Sequence, residues 1–68
     1  PDYELVLRRP DYIARVLKRG YQVHIWNPNT PQEVTWCLDR GVTGITTDDP
    51  EMAARTIARW SKRHSGIA

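Results

Sequence analysis

The chain has one cysteine among its 68 residues. Cys37 therefore has no intramolecular disulfide partner, and no group of Cys and His has the spacing of a structural zinc site. Strong charge of one sign is missing too: ten Lys and Arg stand against eight Asp and Glu, for a net +2. That surplus is too mild for a phosphate-backbone footprint. Many of the cations fall in the last turns of expected helices, where they complement the helix dipole. Trp26, Trp36 and Trp60 do not alternate with basic residues, so no nucleic-acid partner is expected. There is no signal-peptide pattern and no apolar run long enough to span a membrane. A glycine-rich phosphate loop is also lacking, since Gly20 and Gly41 precede strand-like runs instead of following them. A domain of this length buries only about 60% of the surface its unfolded chain exposes. With neither a disulfide nor a structural metal, it needs very good packing, self-association or a larger body to belong to.

Prolines and glycines divide what is there. Pro10 opens a segment that Gly20 closes, Pro31 opens one that Gly41 closes, and Pro50 opens a third, at intervals of roughly 20 residues. Pro at the start and Gly just past the end is the asymmetry of an α-helix. Ile13, Val16 and Leu17 share one helical face, and Val34, Cys37 and Leu38 repeat the same offsets. Thr30-Pro31-Gln32-Glu33 reads as a capping box, and Asp49 as the N-cap of the third helix, with Glu51 in its first turn. Ala53, Ile57 and Trp60 are that helix's expected buried stripe. Between the helices, Tyr21 to Trp26 alternates with a period of two, and Val42 to Thr47 is rich in β-branched residues. The sequence thus predicts helices over 10–19, 31–40 and 50–63 and strands over 21–26 and 42–47. Tyr3 to Leu7 fits either a loop or the tail of an earlier element.

Strand, helix and strand in succession imply parallel pairing with a right-handed crossover. The fold class is α/β. Parallel sheets, however, are covered on both faces and belong to larger sheets. Two parallel strands with three helices close no core and leave open edges. The chain is therefore expected to be incomplete in isolation: a segment of a βα barrel or doubly wound sheet, completed by further chain or by copies of itself. A leucine-rich solenoid is excluded by the lack of its L-x-x-L-x-L signature.

Two stretches resemble a known family. Val23-His24-Ile25-Trp26-Asn27-Pro28-Asn29 resembles the V-h-v-W-T-V-N strand end of glycerophosphodiester phosphodiesterases. Arg40-Gly41-Val42-Thr43-Gly44-Ile45-Thr46-Thr47-Asp48-Asp49-Pro50 resembles their G-V-D-G-I-I-T-D-r-P ending. Both occur in order, separated by a helix of the family's length, and the resemblance covers roughly Pro10 to Trp60. It implies a TIM (β/α)8 barrel, of which residues 1–68 would be a C-terminal fragment: the last two βα units, preceded by one helix. Active sites of such barrels lie at the C-terminal ends of the strands. Trp26, Asn27 and Asn29 would then stand at the rim with Thr47, Asp48 and Asp49. By resemblance Trp26 forms a wall of the substrate pocket, and Asn29 and Asp48 are candidate substrate contacts.

Strand parity puts Gln22, His24 and Trp26 towards the barrel lumen and Tyr21, Val23 and Ile25 against the surrounding helices. Asp48 has a second, structural reading, in which it joins Asp49 in satisfying the free N–H groups of the last helix. His24 reads as a hydrogen-bonded core histidine, Cys37 as a small hydrophobe. His64 carries no assigned role. Two departures stand out. Pro28 interrupts W-T-V-N, lacks a backbone donor and pushes Asn27 towards extended geometry, so the strand should end early and its loop be rearranged. Thr43 replaces the Asp of G-V-D-G.

The resemblance further implies hydrolysis of glycerophosphodiesters to glycerol phosphate and an alcohol. A divalent cation, Mg or Ca, held by carboxylates would polarise the phosphate, and histidines would transfer protons. The family's His-Arg-Gly motif, its Glu-x-Asp metal ligands and its second catalytic histidine are not among these residues. The chain alone is therefore expected to contribute no catalytic residue, to bind no metal and to be inactive. Its partners would be the remainder of the barrel and, for the intact enzyme, a glycerophosphodiester. A different reading is a self-assembling βα module with a structural or binding role and no catalysis. A phosphate-binding βαβ unit of another α/β enzyme ranks last, for want of the phosphate loop.

Overall fold

The computed structural model describes residues 1–65. The elements run α1 (Tyr3–Arg8), α2 (Asp11–Lys18), β1 (His24–Trp26), α3 (Pro31–Asp39), β2 (Gly44–Thr46) and α4 (Pro50–Ser65). Two helices rather than one precede the first strand. The additional α1 starts at Asp2, whose carboxylate accepts from the Glu4 N–H at 2.8 Å, and it buries Tyr3 and Val6. Its six residues are too few to display a helical period in the sequence. Pro10 stands one position before α2, as its N-cap, and makes no side-chain capping bond.

α2 and α3 both end in a Schellman motif. Gly20 and Gly41 sit at φ 85° and 83°, the left-handed region that favours glycine. The Gly20 N–H donates to the Leu17 carbonyl and the Tyr21 N–H to that of Val16. Gly41 and Val42 repeat the pattern on Leu38 and Cys37. These motifs explain why the strands are three residues long and do not run over 21–26 and 42–47. The first N–H of each expected strand is turned back onto the preceding helix. Thr43 then bridges the gap before the ladder begins, its hydroxyl within 2.9 Å of both the N–H and the carbonyl of Val23.

β1 and β2 pair in parallel, His24 opposite Gly44, Ile25 opposite Ile45 and Trp26 opposite Thr46. On the other edge of β1, Asp2 forms a parallel bridge with Trp26, whose N–H donates to the Pro1 carbonyl at 3.1 Å. Three chain segments thus lie side by side in the same direction.

Val23 and Ile25 form the buried face of β1 and pack with Tyr3, Val6, Ile13 and Cys37. A second cluster of Val34, Met52 and Ala53 joins α3 to α4, and Ile45 touches both clusters. Tyr21, expected beside Val23, is 67% exposed, because the Schellman turn leaves it outside the sheet. α4 is also rotated from the expected stripe. Met52, Ala53 and Thr56 are buried, Trp60 is half-buried, and Ile57 is 37% exposed on the flank. Thr56 is accommodated because its hydroxyl donates to the Met52 carbonyl at 2.9 Å.

Candidate functional site

Asp2, Trp26 and Thr46 are adjacent in register, so three parallel segments end at one level. The loops that follow β1 and β2 meet there. Trp26 closes β1 on the face opposite buried Ile25 and is 45% exposed. Pro28 is fully buried and pins the loop beneath it.

Asn29 ties the two loops together. Its Oδ1 accepts from the Thr47 hydroxyl and from the Asp48 backbone N–H, both at 2.9 Å. Its Nδ2 donates to Asp48 Oδ2 at 2.9 Å. Its own backbone N–H donates to Glu33 Oε1 at 2.7 Å. The capping box is thus shifted by one residue: Thr30 Oγ1 accepts from the Glu33 N–H at 3.1 Å, but Glu33 reaches back to Asn29 rather than to Thr30.

Asp48 does not share the capping of α4 with Asp49. Asp49 alone accepts from the Met52 N–H, at 3.1 Å, because the Asp48 carboxylate is drawn across to the Asn29 amide. Thr47 completes the corner, its hydroxyl oxygen accepting from the Asp49 N–H at 3.2 Å. With both lone pairs of Oδ1 used, Asn29 keeps one amide N–H for any ligand. Asn27 and Asn29 also line a groove of about 500 Å³ together with Asp2, Glu4 and Glu33. Those carboxylates make the groove unfavourable for a phosphate.

His24 lies on the same face as Trp26, one step deeper along the strand. Its Nε2 is 2.7 Å from Thr46 Oγ1, and the imidazole passes so close to Gly44 that a Cβ there would stand 2.8 Å from Nδ1. His24 is hydrogen-bonded, but exposed instead of buried in a core. Cys37 is fully buried, and desolvation pushes its thiol up to about 11, so it is no nucleophile near neutral pH. Burial likewise raises the Tyr3 phenol, whose ring meets Trp36 edge-on at 5.6 Å. His64 stacks on Trp60 at 3.9 Å, and Trp60 donates to Asp39 at 2.8 Å, on the helices and outside the rim.

Among the described residues, no group of three or more His, Cys, Asp or Glu could hold a metal ion. The carboxylates of the rim are committed instead to helix caps and to Asn29. No helix among the described residues is long and apolar enough to cross a membrane. Sequence reasoning placed Thr47 at the rim but missed Asp2, whose bridge to Trp26 joins residues 24 positions apart and leaves no local signal.

Comparison with known proteins supplies a family. The model of the glycerophosphoryl diester phosphodiesterase family matches residues 1–52. The chain is 40% identical over 47 residues to "Lysophospholipase D GDPD1" of Homo sapiens, a stretch that covers 69% of this chain and 15% of that protein. The chain thus spans a small part of this relative's length. No solved structure matches. The family match takes in the Asp2 bridge, both strands and both rim loops, and the chain belongs to the glycerophosphoryl diester phosphodiesterase family.

Proposed function

We propose that these residues are the C-terminal part of a (β/α)8-barrel phosphodiesterase that hydrolyses glycerophosphodiesters to glycerol phosphate and an alcohol. The observation that carries this reading is the shared end of three parallel segments at Asp2, Trp26 and Thr46. A consecutive parallel array with its helices on one face and exposed His24 and Trp26 on the other is what a slice of such a barrel presents. In this reading Trp26 is a wall of the substrate pocket, its flat apolar face excluding water beside the alcohol portion of the diester. Asp48 and Asn29 shape the rim beside it.

The enzyme uses a divalent cation, Mg or Ca. Its ligands come from other parts of the barrel, because the carboxylates here are committed elsewhere. General acid and base groups come from there as well, since His24 is engaged by Thr46. The test compares intact enzyme with the purified 68-residue chain for release of glycerol phosphate from a glycerophosphodiester, with chelator and with Mg or Ca restored. Intact enzyme should be active, lose activity to the chelator and regain it with metal. The 68-residue chain should be inactive, and metal-dependent release by it would overturn the division of labour. An intact enzyme without activity would remove the phosphodiesterase reading.

A self-assembling, non-catalytic βα module is the second reading. It is favoured by the outer edge of β2, which no described strand pairs, and by exposed Leu5, Leu7 and Tyr21. A discrete folded oligomer of the 68-residue chain in solution would support it.

A further inference from the structure

We infer that Asn29 is a positioning residue of the phosphodiesterase site: through its bonds to Thr47 and Asp48 it locks the two rim loops together and so fixes Trp26. The inference rests on the phosphodiesterase reading above. Its basis is the number of independent bonds that converge on one residue, three of them on its side chain. Oδ1 takes two donors from the β2–α4 loop, Nδ2 gives one proton to the same loop, and the backbone N–H is anchored to α3 through Glu33. The orientation of the amide is unambiguous, because the Asp48 backbone N–H can only donate and so must face Oδ1.

The clamp extends further at both ends. Thr47 passes the connection to the Asp49 N–H and thus to the first turn of α4. On the other side, Asn29 is three residues from Trp26, with buried Pro28 between them. The N-terminal turns of α3 and α4 and the loop after β1 are therefore linked through Asn29. Without the clamp, the loop carrying Asn27 to Thr30 is released from its neighbour, and the indole at its root loses its fixed place at the rim. Asn29 acts on substrate through Trp26, and its own amide is almost entirely spent on protein.

The geometry gives a specific test by exchange of the two side chains in the intact enzyme. Asn29→Asp sets a carboxylate against Asp48 Oδ2, replacing a hydrogen bond with like-charge repulsion. Asn29→Ala removes the clamp outright. In the double variant Asn29→Asp/Asp48→Asn the carboxylate accepts the loop donors and the new amide donates back to it. The contact is restored in the reverse sense with net charge unchanged. Steady-state kinetics on a glycerophosphodiester should show KM raised by about tenfold in both single Asn29 variants, the scale expected of a misplaced positioning group. The double variant should recover most of that rise.

KM is the informative quantity, since a loss of folded enzyme lowers apparent kcat and leaves KM alone. An unchanged KM in Asn29→Ala, or a double variant no better than Asn29→Asp, would overturn the inference. The thermal midpoint of the same proteins separates this from failure of the phosphodiesterase reading. A wild type that is inactive removes that reading and with it the positioning role. In that event a midpoint lowered by Asn29→Asp and restored by the exchange would still identify the contact as a loop clamp.

Discussion

Each informative residue in this chain has a partner that defines what it does. Gly44 is a glycine because the His24 imidazole occupies the space of its side chain, 2.8 Å from where a Cβ would lie. Gly44→Ala forces the ring off Thr46 and should destabilise the fold by about 1–3 kcal/mol. Adding His24→Ala should recover most of the loss, as read from thermal unfolding. Cys37 shows how burial governs reactivity. Its folded value of about 11 lies above the ordinary thiol value of 9.0. The fold therefore favours the neutral thiol, a contribution fully present below pH 9 that is lost as pH rises through about 11. At pH 8 a thiol reagent should react slowly with the native protein and rapidly in denaturant. Between pH 9 and 11 the unfolding midpoint should fall more steeply in the wild type than in Cys37→Ala.

At the scale of elements, the helix ends carry most of the local information. Thr30 Oγ1 and Asp49 Oδ1 each satisfy one otherwise orphaned N–H, at the starts of α3 and α4. Thr30→Ala and Asp49→Ala should each cost about 1 kcal/mol in denaturant unfolding. These caps, and both glycine stops, were legible because capping is a local matter of two to six residues. The strand lengths were not. Tyr21 and Val42 look like strand residues by composition, but each Schellman motif takes its N–H for the helix. α1 stayed ambiguous because one turn and a half of helix offers too few apolar positions to set a period. The stripe on α4 was right at Ala53 but missed Thr56 for a different reason. Thr56 is buried by a hydrogen bond to Met52, and hydrophobicity alone assigns such a position to the surface.

At the scale of the whole molecule, apolar surface and a strand edge stay uncovered. Leu5, Leu7, Tyr21 and Trp26 all remain exposed, and the outer edge of β2 has no strand beside it among the described residues. The isolated 68-residue chain should therefore bind a hydrophobic dye and self-associate or aggregate, whereas the intact enzyme should do neither. Sedimentation of both proteins checks this, and a monomeric, cooperatively folded 68-residue chain would contradict it. By itself the sequence determined the order of elements from α2 to α4, the parallel pairing, the caps of α3 and α4 and the family resemblance around Trp26 and Asp48. All of these follow from short-range periodicity, turn chemistry and motif spacing. Only the tertiary structure decided that Asp2 stands beside Trp26, that Asp48 turns to Asn29 instead of to α4, and that Thr47 links the two loops. Those contacts join residues about 20 positions apart in the chain, and they are set by strand register, which no local pattern encodes.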